Sequence, residues 1–190
     1  MSPLRGPAAD LQDDALRRVL AHAAGAPPSC GPIHVIGIDG RSGSGKTSLA
    51  REVAGAWRAT LVSMDSIYPG WDGLAAATPI LVERVLRPLT EGRDAVVPTW
   101  DWLASRPGPL LPLPAPERLV VEGCGSTVAP AAELIGTRVW LDGPESVRRR
   151  RAIDRDGEVF ADHWEMWARQ EAAVFESDRT RERAHLVLEV

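Results

Sequence analysis

Residues Gly40-Arg41-Ser42-Gly43-Ser44-Gly45-Lys46-Thr47 satisfy the pattern G-x-x-x-x-G-K-[ST] without a mismatch. Each residue type has a use in holding a nucleoside triphosphate. Gly40, Gly43 and Gly45 let the backbone turn its N–H groups inward, and Ser42, Ser44 and Ser48 are small polar residues on the same curve. Lys46 bridges outer phosphates, the Thr47 hydroxyl ligates Mg²⁺, and the start of a following helix adds partial positive charge. Of the 22 basic residues 21 are arginine, and the single lysine is Lys46. A coding bias toward arginine accounts for the scarcity of lysine but not for where the one lysine falls. ATP with Mg²⁺ is the expected ligand pair.

Carboxylates and arginines follow at positions that suit phosphoryl transfer. Asp65 comes just after an apolar run and could accept the proton of an attacking hydroxyl, or cap the next turn. Glu122 closes the run Leu119-Val120-Val121, where a carboxylate can hold Mg²⁺ directly or through water, or cap a helix. Arg148, Arg151 and Arg155 are spaced i, i+3, i+7 and so share a helix face. They could stabilise charge on a moving phosphoryl group, or form a solvated face paired with Glu145, Asp154 and Asp156.

The elements that must position these residues read as alternating strands and helices. Residues 10 to 24 place Leu16, Val19, Leu20 and Ala23 on one helical face, with Asp10 as N-cap and Gly25 as stop. Strand-like runs are Ile33–Ile38, Thr60–Met64, Arg118–Val121, Arg138–Leu141 and His185–Leu188. Helical segments are Lys46–Arg58, Thr78–Leu89, Glu145–Asp154 and Ala161–Asp178, and the Pro- and Gly-rich stretch from Pro98 to Pro116 predicts a surface excursion. This pattern is α/β: a doubly wound parallel sheet of about five strands, covered on both faces. In such a sheet ligands bind beyond the carboxyl ends of the strands, which is where the phosphate loop, Asp65 and Glu122 all fall.

Composition narrows the classes. A chain of 190 residues with 44% hydrophobic and 25% charged content predicts one globular domain spanning residues 1 to 190, with residues 1 to 30 a leading helix and connector. The formal charge of -4 gives no general attraction to nucleic acid polymers. No apolar stretch is long enough to span a bilayer, and Met1–Asp10 has no apolar signal core, so a cytoplasmic protein is expected. Two cysteines, Cys30 and Cys124, make neither a disulfide framework nor a metal set. The run Asp162-His163-Trp164-Glu165 points in different directions on a helix and reads as surface helix rather than metal site. A chain whose one lysine is already in the loop cannot supply the Asn-Lys-x-Asp element of a switch GTPase, and the Ser-Gly-Gly-Gln signature of transporter ATPases is absent.

Ile38-Asp39-Gly40 to Thr47, Met64-Asp65-Ser66-Ile67-Tyr68, Trp100-Asp101-Trp102, Val121-Glu122-Gly123 and Arg148 to Asp156 together resemble the successive motifs of the uridine kinase-type nucleoside kinases. The order and approximate spacing hold over residues 33 to 190. The resemblance implies a three-layer phosphate-loop NTPase fold with a helical lid near 148 to 160, and a kinase that transfers the ATP γ-phosphoryl to a hydroxyl of a nucleoside-like acceptor. It assigns Lys46, Asp65, Arg151 and Arg155 to catalysis, Thr47 and Glu122 to Mg²⁺, and Asp65, Tyr68, Trp100 and Asp101 to the acceptor, with plain packing the other reading of Tyr68 and a structural role that of Asp39, which is also typical of the family. Trp stands at 100 where the family has Tyr, and Leu103-Ala104-Ser105-Arg106-Pro107 replaces the usual His-Pro. Arg106 could instead recognise a carboxylate or phosphate, so a nucleoside monophosphate or another small metabolite is the alternative acceptor. A nucleotide-binding regulator with slow ATPase activity is the alternative outside kinases, and association into a homo-oligomer is left open. Trp57, Trp140, Trp164 and Trp167 are expected in the core or between helices.

Overall fold

The computed structural model describes residues 7 to 189; residues 1 to 6, on which part of the N-terminal reading rests, and Val190 lie outside the described residues. Helix α1 (Pro7–Gly25) leads into β1 (His34–Gly40), a run of β-branched residues buried along its length. Asp10 falls inside the first turn of α1 and is not its N-cap, because the helix begins earlier, at Pro7. Helix α2 (Lys46–Trp57), strand β2 (Thr60–Ser63), helices α3 (Leu74–Leu81) and α4 (Arg87–Thr90), and the short strands β3 (Ala95–Val97), β4 (Trp100–Asp101), β5 (Arg106–Pro107) and β6 (Leu111–Leu113) follow. Strands β7 (Arg118–Glu122) and β8 (Thr137–Asp142), helix α5 (Glu145–Asp178) and strand β9 (Leu186–Glu189) complete the order.

Five strands form one sheet in the order β2-β7-β1-β8-β9, every pairing parallel. One apolar cluster, including Val19, Ile36, Leu49, Val53 and Val120, lies on the α1 and α2 side. The other, including Val35, Leu81, Leu86, Trp140 and Trp164, lies on the α3 to α5 side. The molecule is a three-layer α/β domain. The strand order reverses at β1, and the crevice beyond the carboxyl ends of β1, β2 and β7 is where the chemistry-bearing residues were expected.

Two segments depart from the sequence reading. The helix expected over Thr78–Leu89 begins earlier, at Leu74, and passes through a wider π turn at Val82–Leu86 before α4. The expected helices 145–154 and 161–178 are one long α5 with a single break at Gly157, whose φ of 72° and ψ of -158° an L side chain would resist. The stretch from Pro98 to Pro116, exposed or half-buried except at Leu113, is built of short strands: β4 pairs with β5, and β6 returns to pair with β3. No helix among the described residues is long and apolar enough to cross a membrane.

Candidate active site

The phosphate loop joins β1 to α2. Gly40, Gly43 and Gly45 have φ of 141°, 77° and 94°, and a Cβ at Gly40 or Gly43 would collide with the carbonyl of Leu141 or Arg148. Only glycine fits there. Lys46 is buried and its Nζ donates to Arg41 O at 3.0 Å, so the lysine curls back over its own loop. Burial works against its charge, but Cys124, Glu171, Glu122 and Asp39 outweigh burial and hold the ammonium above its ordinary value. Ser44 Oγ is buried without a hydrogen-bond partner, and Ser48 is exposed on the first turn of α2.

Thr47 Oγ1 donates to Glu122 Oε2 at 3.1 Å, and Ser63 Oγ donates to Glu122 Oε1 at 2.6 Å. Burial raises the Glu122 carboxyl, the Ser63 hydrogen bond opposes this, and Asp65 nearby adds to the rise. Among the described residues no group of three or more His, Cys, Asp or Glu could hold a metal. A hydroxyl beside one carboxylate nevertheless fits Mg²⁺, which takes one or two protein oxygens and completes its shell with phosphates and water. The orphaned Ser44 hydroxyl, the glycine cradle and the buried lysine likewise fit a polyphosphate.

Asp65 sits in a short 3₁₀ turn (Met64–Ser66) capped by Ser63, whose Oγ accepts from Asp65 N at 3.4 Å. The capping group is thus Ser63, and the Asp65 carboxylate is left to line a cavity of about 550 Å³ shared with Lys46, Thr47, Glu122 and Arg155. The opposite wall is aromatic: Tyr68, Trp71, Trp102, Phe160 and Trp167. Tyr68 is buried, donates to Cys124 O at 2.8 Å and meets Trp167 edge-on at 4.9 Å between ring centroids. Trp71 stacks on His163 at 4.1 Å and is held by Gln170 Nε2, which donates to Trp71 O at 2.8 Å.

The structure brings Lys46, Thr47, Asp65, Tyr68, Glu122 and Arg155 into one cavity; Trp100, Asp101 and Arg106 do not line it. The β4–β5 hairpin explains the difference. Trp100 pairs with Pro107 and Asp101 with Arg106, so these residues form the stem, whereas Trp102 and Leu103 in the turn reach the cavity. Asp101 Oδ1 accepts from Ala104 N at 3.0 Å and its Oδ2 lies 4.0 Å from Arg106 Nε, a turn-stabilising arrangement. Trp100 instead lies against Gly70.

The arginines also part company. Arg148 is buried and donates to Ser42 O and Gly143 O, each at 3.0 Å. Arg151 is exposed and outside the cavity lining. Arg155 lines the cavity and forms a two-bond pair with Asp156 at 2.7 and 2.6 Å; this hydrogen bonding raises its already high pKa. Asp39 is fully buried and accepts from Gly40 N, Gly125 N, Thr127 N and Thr127 Oγ1, joining the phosphate loop to the turn after β7. Burial pushes its carboxyl up to about 6. Trp164 is in the core, so the run from 162 to 165 is only partly a surface.

Sequence reasoning missed Trp71, Phe160 and Glu171. Glu171 is 1% exposed, and its Oε1 accepts from Ser42 N at 2.7 Å, Trp167 Nε1 at 3.1 Å and Cys124 Sγ at 3.2 Å. A carboxylate at helical spacing from Trp164 and Trp167, both expected in the core or between helices, was the one available signal.

A protein from Bacillus stearothermophilus described as a possible uridine kinase superimposes with a TM-score of 0.67 at 20% identity, over 96% of this chain and 100% of that one. The chain has the fold of the phosphate-loop kinases. A Silicibacter protein described as a candidate fructose transport system kinase shares this phosphate-loop kinase fold, with a TM-score of 0.53 at 16% identity over 93% of this chain and 98% of that one. No protein-family model and no curated protein matches the sequence. The cavity between the loop and α5 is lined by loop residues, by Asp65 and by the aromatic side chains together.

Proposed function

We propose that the protein is an ATP-dependent small-molecule kinase that transfers the γ-phosphoryl group to a hydroxyl of a nucleoside-like acceptor. The observation that carries this reading is that Asp65 lines the same cavity as Lys46, Thr47, Glu122 and the aromatic wall. A carboxylate in a cavity that also holds an aromatic wall suits a reaction with a second molecule, whose hydroxyl it can orient and deprotonate. The likeness to proteins described as sugar and nucleoside kinases supports the reaction class.

Bound MgATP supplies the transferable phosphoryl group and the metal that neutralises its charge. The loop N–H groups and Lys46 hold the phosphates, with Thr47 and Glu122 toward the metal. Asp65 orients the acceptor hydroxyl and takes up its proton. Arg155, released from Asp156, supplies positive charge where the phosphoryl group moves, and Arg151 lies one helical turn away on the same helix, outside the cavity. Trp102, Trp71, Phe160 and Trp167 exclude water and offer apolar area to a flat acceptor.

A phosphorylated or carboxylated acceptor is less well served. Arg106, the cation suited to it by sequence, is 73% exposed on the hairpin stem and faces Asp101. The test is Mg²⁺-dependent ADP release, scanned over nucleosides, nucleoside monophosphates and simple hydroxylated metabolites. One acceptor that stimulates turnover, with stimulation lost in Asp65→Asn, is the expected result. MgATP binding with no stimulation by any acceptor favours the regulator.

A further inference from the structure

Residue Ser42, on the curve of the phosphate loop, is held at both of its backbone polar groups by charged side chains of one helix. Glu171 accepts from Ser42 N at 2.7 Å, and Arg148 donates to Ser42 O at 3.0 Å. Glu171 is 1% and Arg148 6% exposed, and they lie on opposite sides of the α5 break at Gly157. Taking two charges out of water is costly unless hydrogen bonds compensate, and a carboxylate bonded to the loop works electrostatically against an anionic ligand. Beyond the support its charge gives to the Lys46 ammonium, what Glu171 provides is geometry.

We propose that Arg148 and Glu171 are positioning residues that preset the phosphate loop for a nucleotide polyphosphate by clamping the peptide planes on either side of the Ser42 Cα. In a trans peptide the C=O and the following N–H point in opposite directions. Drawing Ser42 O toward Arg148 turns Gly43 N–H the other way, and Gly43 lines the cavity. Drawing Ser42 N toward Glu171 turns Arg41 O away from Glu171, and Arg41 O is the acceptor of the Lys46 ammonium. Both ends of the clamp thus set a phosphate-facing group: an inward N–H and the placement of the lysine. A loop with glycines at 40, 43 and 45 has many backbone alternatives, so this choice needs an external hold. The same Glu171 oxygen accepts from Trp167, which lines the acceptor slot, so the slot and the loop share one anchor.

The inference rests on the nucleotide-binding part of the proposed function. Its test is MgADP affinity by titration calorimetry at 25 °C for the full chain, with circular dichroism confirming that each variant is folded. Glu171→Gln keeps an acceptor oxygen in place and is expected to bind within about threefold of the parent, whereas Glu171→Asp keeps the charge but withdraws the oxygen and is expected to lose roughly 5- to 100-fold. Arg148→Lys, which cannot span Ser42 O and Gly143 O together, is expected to lose a similar factor. Because both residues act through the conformation of Ser42, the double variant Glu171→Asp/Arg148→Lys should lose less than the product of the single losses, which two unrelated structural roles would not do. Folded Glu171→Asp with parental affinity, or losses that simply multiply, overturns the clamp and leaves the kinase reading standing. Failure of the parent chain to bind MgADP overturns both.

Discussion

The indole N–H of Trp102 donates to the backbone carbonyl of Asp65 at 3.0 Å, so the tip of the β4–β5 hairpin is tied to the turn that carries the candidate base. Trp102 also lies 4.9 Å from Trp71, centroid to centroid. The bond holds Trp102, one of the aromatic residues lining the cavity, against the turn that bears Asp65. Trp102→Phe keeps the aromatic face and removes the donor, and it should raise the acceptor KM by about 3- to 10-fold while leaving the ATP KM unchanged. A change in both constants would show that the hairpin supports the whole site.

Asp65→Asn should lower phosphoryl transfer by roughly 10²- to 10⁴-fold, the usual range for a positioned general base, without weakening MgADP binding. Steady-state kinetics paired with calorimetry check this, and transfer within threefold of the parent would remove Asp65 from the mechanism.

Thr47→Ala and Glu122→Gln should each raise the Mg²⁺ concentration needed for half-maximal turnover by at least about tenfold, the scale on which weakened metal sites respond. The hydrogen bond between their side chains at 3.1 Å places both oxygens where one ion can be shared. A Mg²⁺ titration at fixed ATP distinguishes this from loss of nucleotide affinity.

Arg106→Ala should leave the acceptor panel unchanged, within about twofold, because an exposed ion pair contributes little and the side chain does not reach the slot. Selective loss of an anionic acceptor would contradict the placement.

Asp39 predicts a pH dependence of stability. Its folded pKa of about 6 is raised above the ordinary 3.8 by burial, so the folded state binds its proton more tightly than the unfolded state. This contribution is fully present below pH 3.8 and is lost as the pH rises through 6. Relative to Asp39→Asn, the parent should therefore lose on the order of 3 kcal/mol between pH 4 and 7. Urea denaturation at several pH values measures the difference, and parallel profiles would show that Asp39 ionises normally in the fold.

Residues that act through local spacing were legible in the chain. The phosphate loop is contiguous, its glycines have backbone angles that only glycine takes readily, and the β-branched run before it can only be a buried strand. Five such runs separated by helices determined the parallel sheet, and the rule that ligands gather at the carboxyl ends of its strands placed Asp65 and Glu122 beside Lys46. Tyr68 follows Asp65 closely enough to be carried with it.

Tertiary structure decided what spacing cannot encode. Arg148 and Arg155 belong to one helix, yet one grips the loop and the other lines the cavity, because a helix face becomes a role only when a partner surface meets it. The hairpin took Trp100, Asp101 and Arg106 into its stem and sent Trp102 inward, a choice made by where the turn falls. Glu171 reads in sequence as one more charge in a long helix; packing against the loop buries it, and only burial turns its carboxylate into the anchor of Ser42. Local chemistry is written in consecutive residues, whereas the contacts that aim it come from segments far apart in the chain.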